Sequence, residues 1–263
     1  MLAEYGHALT RRRLSPQTVR LRLFYMTKVE AALGDLSTVT MEQLEWWLAE
    51  REPGWSLNTQ QTAIATIRSF YKWAAESGRI RNNPAAEIVR VRVHRTAARM
   101  ATETEIRDGL ARATLEEQAM ILLGAECGFR VSEIAGLHLD DRRGKWLTIV
   151  GKGNVQRTVA ASPELQAILD QIEHTSMRWR FYFPGRSGGH AHPSMIWRHI
   201  QRCVGVNPHA LRHRAGDAVY RDGKDIRRTQ IFLGHANSHT TEIYIHIEED
   251  DLELASASTR LAA

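Results

Sequence analysis

Apolar positions recur at helical spacing through most of the chain, and only one stretch alternates as paired strands do. Val19, Leu23, Met26 and Leu33 form one stripe. It opens at Ser15-Pro16, a capping oxygen followed by a residue whose missing N–H costs nothing there, and it stops at Gly34. Leu44, Trp47 and Leu48 follow Thr40, which pairs with Gln43 as a capping box. Ile64, Ile67, Phe70 and Tyr71 mark a third helix between Ser56 and Gly78. Arg79 to Pro84 is polar and turn-rich, and helical spacing fades through Val89–Val93. This predicts a helical domain over 1–83, a linker over 84–100 and a second domain over 101–263.

The second domain begins with Thr102 and Glu105, another capping box, and a helix over Leu115 to Glu126 that Gly128 ends. Trp146–Val150 and Val155–Ala160 are β-branched runs around Gly151-Lys152-Gly153-Asn154, which reads as a hairpin. Helices are expected near Pro163, near Pro193, over Pro208–Arg221, over Asp225–Leu233 and from Thr240 to about Ser258. The fold class is therefore mainly α with a small antiparallel sheet, and no internal repeat is visible.

With 263 residues, 43% of them hydrophobic, the chain has enough apolar surface for one large or two ordinary cores. Its net charge is +5. Arginine supplies most of the cations, with lysine confined to positions 28, 72, 145, 152 and 224. The guanidinium fork suits bidentate phosphate contacts, although GC-rich codon usage explains most of the arginine excess. Cys127 and Cys203 stand in apolar helical contexts and are expected to be buried free thiols, with no metal-ligand spacing. Neither a secretory leader nor a run of eighteen apolar residues is present, so a soluble cytoplasmic protein is expected.

An ordered set of cations, imidazoles and one phenol carries the chemistry: Arg130, Lys152, His209, Arg212, His235 and Tyr244. Phosphoryl transfer spreads negative charge over nonbridging oxygens, which Arg130 and Arg212 could stabilise. His209 precedes Arg212 by three residues, on the same helical face. Clustered acidic residues for two divalent ions are missing from the sequence, so a metal-free, cofactor-free route is expected. A tyrosine with a pKa of about 10 needs a base, and His209 is the candidate. His235 could hydrogen-bond the phosphate, and Lys152 could protonate the leaving 5′ oxygen. Each residue alone has an ordinary reading: a surface charge, a helix cap, a half-buried aromatic, a turn. Their joint order and spacing favour the chemical one.

CGFRVSEIAGLHLDD, VGKGNVQRTV and PHALRHRAGDAVYRDGKDIRRTQIFLGHANSHTTEIYIHI resemble the arginine box, lysine hairpin and second box of the phage integrase family of tyrosine recombinases, over about residues 100–250. The resemblance implies Arg130, Lys152, His209, Arg212 and His235 as catalytic, Tyr244 as nucleophile and Glu133 as a supporting acid. Less specifically, the N-terminal helices resemble the SAM-like core-binding domain. Two departures are small: Arg214, where the family often has a small polar residue, and the short charged step at Asp141–Lys145. The implied reaction forms a 3′-phosphotyrosine and exchanges strands through a Holliday junction in a homotetramer, with exchange of C-terminal helices between subunits. The implied partners are double-stranded core sites of phage and bacterial DNA and an excision factor, in the cytoplasm near the nucleoid. The first helices begin almost at Met1, so no arm-binding domain is expected.

The two domains are expected to clamp a duplex. Arg11, Arg12, Arg13, Arg20, Arg22, Gln60, Gln61, Arg68 and Lys72, with Arg92 and Arg95 of the linker, are the candidate contacts. Each is by default a solvated polar side chain, but as a group they imply salt-dependent binding. Two other functions stay open at this point: a regulator of the same fold without turnover, and a type IB topoisomerase.

Overall fold

In the computed structural model, residues 1–91, 99–151, 156–175, 180–186 and 188–234 are described. The chain divides into two compact units, Met1–Thr96 and Ala97–Ala263. No helix among the described residues is long and apolar enough to cross a membrane.

The first unit contains α1 (Leu2–Arg11), α2 (Pro16–Leu33), α3 (Met41–Ala49) and α4 (Leu57–Glu76). Ser15 and Ser56 accept the amides of Thr18 and Thr59, and the Thr40–Gln43 box closes in both directions. Tyr5, Met26, Trp47 and Phe70 are wholly buried and carry the core. Helix α1 has no strong start signal in the sequence; what holds it is tertiary packing. Tyr5 meets Phe70 edge-on with ring centroids 5.1 Å apart, and its hydroxyl donates to Ser69 Oγ at 3.0 Å. The polar stretch after α4 folds back rather than leaving the unit: Ala85 and Ile88 are buried there. Arg68 stitches it down by donating to the carbonyls of Ala85, Ala86 and Ile88 at 3.3, 2.8 and 2.6 Å.

The second unit contains α5 (Glu103–Arg112), α6 (Leu115–Ala125), α7 (Val131–Ala135), β1 (Arg142–Arg143), β2 (Trp146–Val150), β3 (Gln156–Ala160), α8 (Pro163–Thr175), α9 (Pro193–Val204), α10 (Pro208–Gly223) and α11 (Ile226–Leu233). The most buried helix is α6, where every residue from Ala119 to Ala125 is enclosed, with α8, α9 and α10 packed around it. Thr114 and Glu117 cap its start, and buried Glu117 also binds His199 and Arg202, locking α9 against α6. Cys127 and Cys203 are buried free thiols. The sheet is antiparallel in the order β1-β2-β3, with Leu147 opposite Val159 and Ile149 opposite Arg157. Strand β1 was not legible because two residues carry no alternation; Arg142 is held instead by Asp170 and Glu173 at 2.7 and 2.8 Å. The helix expected from Thr240 to Ser258 lies outside the described residues.

Candidate active site

The site forms where α6 ends and α10 and α11 return. Gly128 takes a left-handed turn at φ +62° after α6. A Cβ there would stand 2.9 Å from Leu233 Cδ2, so any other residue meets strain and collision together. This turn lets the chain reach Arg130, which precedes the short helix α7. Glu133 reaches back from α7 and accepts from the Arg130 amide at 2.8 Å and from an Arg130 guanidinium nitrogen at 2.7 Å. Thus Arg130 is held at both ends of its own residue, yet its side chain stays 24% exposed.

Arg212 reaches the same place from α10. Its side chain is 1% exposed; it donates to the carbonyl of Gly128 and, at 2.6 Å, to that of Leu233. Its guanidinium lies 3.9 Å from Glu133. The sequence placed both arginines at a phosphate; the structure brings them to one acid but leaves only Arg130 partly open to solvent. A third guanidinium was missed. Arg157, on β3 and 3% exposed, donates to both Glu133 oxygens at 3.1 and 2.8 Å and to the Gly128 carbonyl at 3.3 Å. A signal for it existed, because strand alternation puts Arg157 on the inner face with Val159.

Three guanidinium charges against one carboxylate leave this cluster net +2. Desolvation pushes the Glu133 carboxyl up. The Arg157 hydrogen bonds and charge, then the Arg130 bonds, outweigh it and hold the pKa below the ordinary range. Glu133 therefore stays ionised and the excess positive charge persists at neutral pH.

His209 is exposed in the first turn of α10, whose start Asn207 caps at 2.9 Å. Desolvation, then the charges of Arg212 and Arg130, lower its pKa. The ring is therefore neutral at pH 7 and able to take a proton. His213, one helical turn on, was not singled out from the sequence. Desolvation, His209 and Arg212 push it down to about 4, so it too stays neutral. If His209 is the base, the acid limb of single-turnover cleavage should have its midpoint below the ordinary imidazole value of about 6.5. An acid limb at or above 6.5 would contradict that assignment.

Lys152, His235 and Tyr244 lie outside the described residues, as do Arg92 and Arg95. Their neighbours in sequence are informative. A Cβ on Gly151, next to Lys152, would sit 3.1 Å from a Glu133 oxygen and 3.4 Å from the Arg130 guanidinium. A Cβ on Gly234, next to His235, would sit 3.0 Å from the Arg157 guanidinium. The chain thus enters both positions from residues that touch the arginine cluster.

Within the first unit, a groove of about 730 Å³ is lined by Thr18, Arg22, Gln61, Arg68, Lys72 and Arg90, among others. Four of the expected DNA contacts therefore meet in one place, joined by Arg90. Arg22 is fixed by a 2.7 Å bond to Ser69. Arg11 lines a separate groove with His7 and Arg79, while Arg12, Arg13 and Arg20 line neither. Gln60 donates to the carbonyls of Glu52 and Trp55 at 3.2 and 3.3 Å, a helix-start tie that spacing alone does not show.

Residues 95–250 match the model of the phage integrase family. Tyrosine recombinase XerC of Corynebacterium efficiens is 31% identical over 258 residues, covering 90% of this chain and 83% of that protein. Lambda integrase (75–356), as a dimer bound to a COC′ core site, superposes with a TM-score of 0.75 at 15% identity, covering 94% of this chain and 98% of that one. A lambda integrase tetramer bound to a Holliday junction gives 0.72 at 16% identity, covering 90% and 76%. These structures show a shared fold. The chain belongs to the phage integrase family and is a tyrosine recombinase.

Proposed function

We propose that the chain is a site-specific DNA strand transferase in which Tyr244 attacks a scissile phosphate, leaving a 3′-phosphotyrosine and a free 5′ hydroxyl. The observation that carries this reading is the net +2 cluster of Arg130, Arg157 and Arg212 around one carboxylate, with a neutral histidine beside it. Such a cluster opposes the charge that builds on a pentacoordinate phosphorus. His209 takes the phenolic proton, His235 donates to a nonbridging oxygen, and Lys152 protonates the departing 5′ oxygen. One phosphoester replaces another, so bond energy is conserved and no nucleotide is consumed.

The helical first unit is the core-type DNA-binding domain. Its basic groove takes the duplex backbone through Arg22, Lys72 and Arg90. Paired strand exchanges then pass through a Holliday junction in a homotetramer held by C-terminal helices, and the setting is the bacterial cytoplasm at the nucleoid. The outcome in this reading is integration, and with an excision factor excision, of a mobile genome. The XerC relative favours a second outcome, resolution of chromosome dimers.

A randomised duplex library carrying a nick beside the variable core tests the reaction class. Cleavage beside the nick releases a short fragment, so the covalent complex is trapped. Adducts that survive denaturation and share one sequence are expected, and that sequence, found at a phage attachment site or a chromosome terminus, separates the two outcomes. Binding without adducts would favour the idle regulator. Relaxation of a supercoiled plasmid lacking the selected sequence would favour the topoisomerase.

A further inference from the structure

Arg157 has partners that a merely structural cation would not need. Its side chain spans both Glu133 oxygens and the Gly128 carbonyl, and its guanidinium carbon stands 5.4 Å from the Phe129 ring. Arg212 donates to that same Gly128 carbonyl, and Arg130 is bound by that same carboxylate. Gly234, the residue before His235, abuts Arg157 as well. One buried side chain therefore touches the holder of Arg130, the acceptor of Arg212 and the approach to His235, from the strand that follows Lys152. Its Nε–H is buried with no acceptor among the described residues, a cost the fold bears. Well-packed apolar residues often stabilise an interior as well as a buried ion pair does. What they would not supply is a fixed position for Glu133 and, through it, for Arg130.

We propose that Arg157 is a positioning residue of the cleavage centre: by gripping Glu133 and the Gly128 carbonyl together, it sets where Arg130 presents its guanidinium and fixes β3 against the end of α6. This rests on the recombinase reading and adds a residue on which the placement of the two arginines depends. Arg157 touches no substrate, so it acts on the rate through placement, where an error of about 1 Å costs on the order of a hundredfold.

The full-length Arg157→Met and Arg157→Lys variants test it on the selected nicked duplex. Duplex binding, cleavage rate in the bound complex and the pH dependence of that rate are measured for each, with wild type alongside. Arg157→Met should bind DNA as wild type does and cleave it about a hundredfold more slowly. A second acid limb, below the one assigned to His209 and set by protonation of Glu133, should also move up. Glu133 is faced by Arg130 before α7, Arg157 on β3 and Arg212 on α10, and without Arg157 its burial weighs more heavily. A purely structural role would lower the folded fraction and leave the pH profile of the folded molecules unchanged. Arg157→Lys keeps the charge beside Glu133 and loses the two-way grip. It should recover the wild-type pH limb and remain about tenfold slow. If Arg157→Met does not fold, the lysine variant decides, and an unaltered rate there overturns the proposal. Wild-type rate and pH profile in Arg157→Met overturn it equally. If wild type forms no adduct, the recombinase reading fails and takes this inference with it; if only the variants match wild type, this inference alone fails.

Discussion

Glu133→Ala should lose about 3–5 kcal/mol of stability and nearly all cleavage, because it strips the sole carboxylate from the described arginine cluster. Glu133 is 4% exposed and accepts from the Arg130 amide, the Arg130 guanidinium and two nitrogens of Arg157. Without it, Arg157 keeps a buried charge whose remaining hydrogen-bond acceptor among the described residues is the Gly128 carbonyl, and Arg130 loses the carboxylate that fixed its side chain. The cost is that of an uncompensated interior cation, which exceeds the worth of the intact pair. Glu133→Gln keeps the volume and one acceptor and should be milder. Urea unfolding midpoints measure the first effect and trapped adduct the second. A Glu133→Ala protein within about 1 kcal/mol of wild type would mean that solvent reaches this cluster freely.

Arg212→Ala is the second large effect. Cleavage in the bound complex should fall by about a thousandfold, the scale for a removed charge donor at a reacting centre. Arg212 supplies positive charge 3.9 Å from Glu133, and it ties the Leu233 carbonyl, at the end of α11, to the Gly128 carbonyl. Its loss therefore removes charge and loosens the approach to His235 at once. Arg212→Lys should rescue little, since one ammonium is a poor match for two carbonyls set apart for a planar fork. Duplex affinity should hold, because a side chain 1% exposed contributes little to the surface potential that binds the backbone. Equal loss of affinity and rate would instead place Arg212 in the binding surface.

The helices that could be read early are those whose ends are written locally. Ser15-Pro16, Thr40 with Gln43, and Thr102 with Glu105 each state a start in side-chain hydrogen bonds, and each is where the structure begins a helix. Hidden elements depend on distant partners. Helix α1 rests on Tyr5 against Phe70 and on Glu4 with Arg79, contacts across more than sixty residues. Arg68 reads as a surface cation by spacing, yet spends its guanidinium on three carbonyls of the following loop. Arg214, an oddity in the motif, braces α10 to Glu103 and to the Ala125 carbonyl.

At the site, motif order brought Arg130, Glu133, His209 and Arg212 forward, and the fold gathers these four with Arg157. Arg157 stands inside a strand, away from the loops and helix ends where the motif charges lie. An arginine inside a strand is unremarkable until its neighbour across the sheet proves to be Ile149, an interior residue. Burial of Arg212 was equally out of view, since sequence spacing gives a helical face but not what covers it.

The central claim is that one phenolic oxygen becomes esterified to DNA. The most direct measurement is to trap the adduct on the nicked duplex, digest it with trypsin and identify the DNA-linked residue by mass spectrometry. The account expects the nucleotide on Tyr244, within the peptide spanning 229–260, and no adduct from Tyr244→Phe. A nucleotide on any other side chain, or undiminished adduct from Tyr244→Phe, would contradict it.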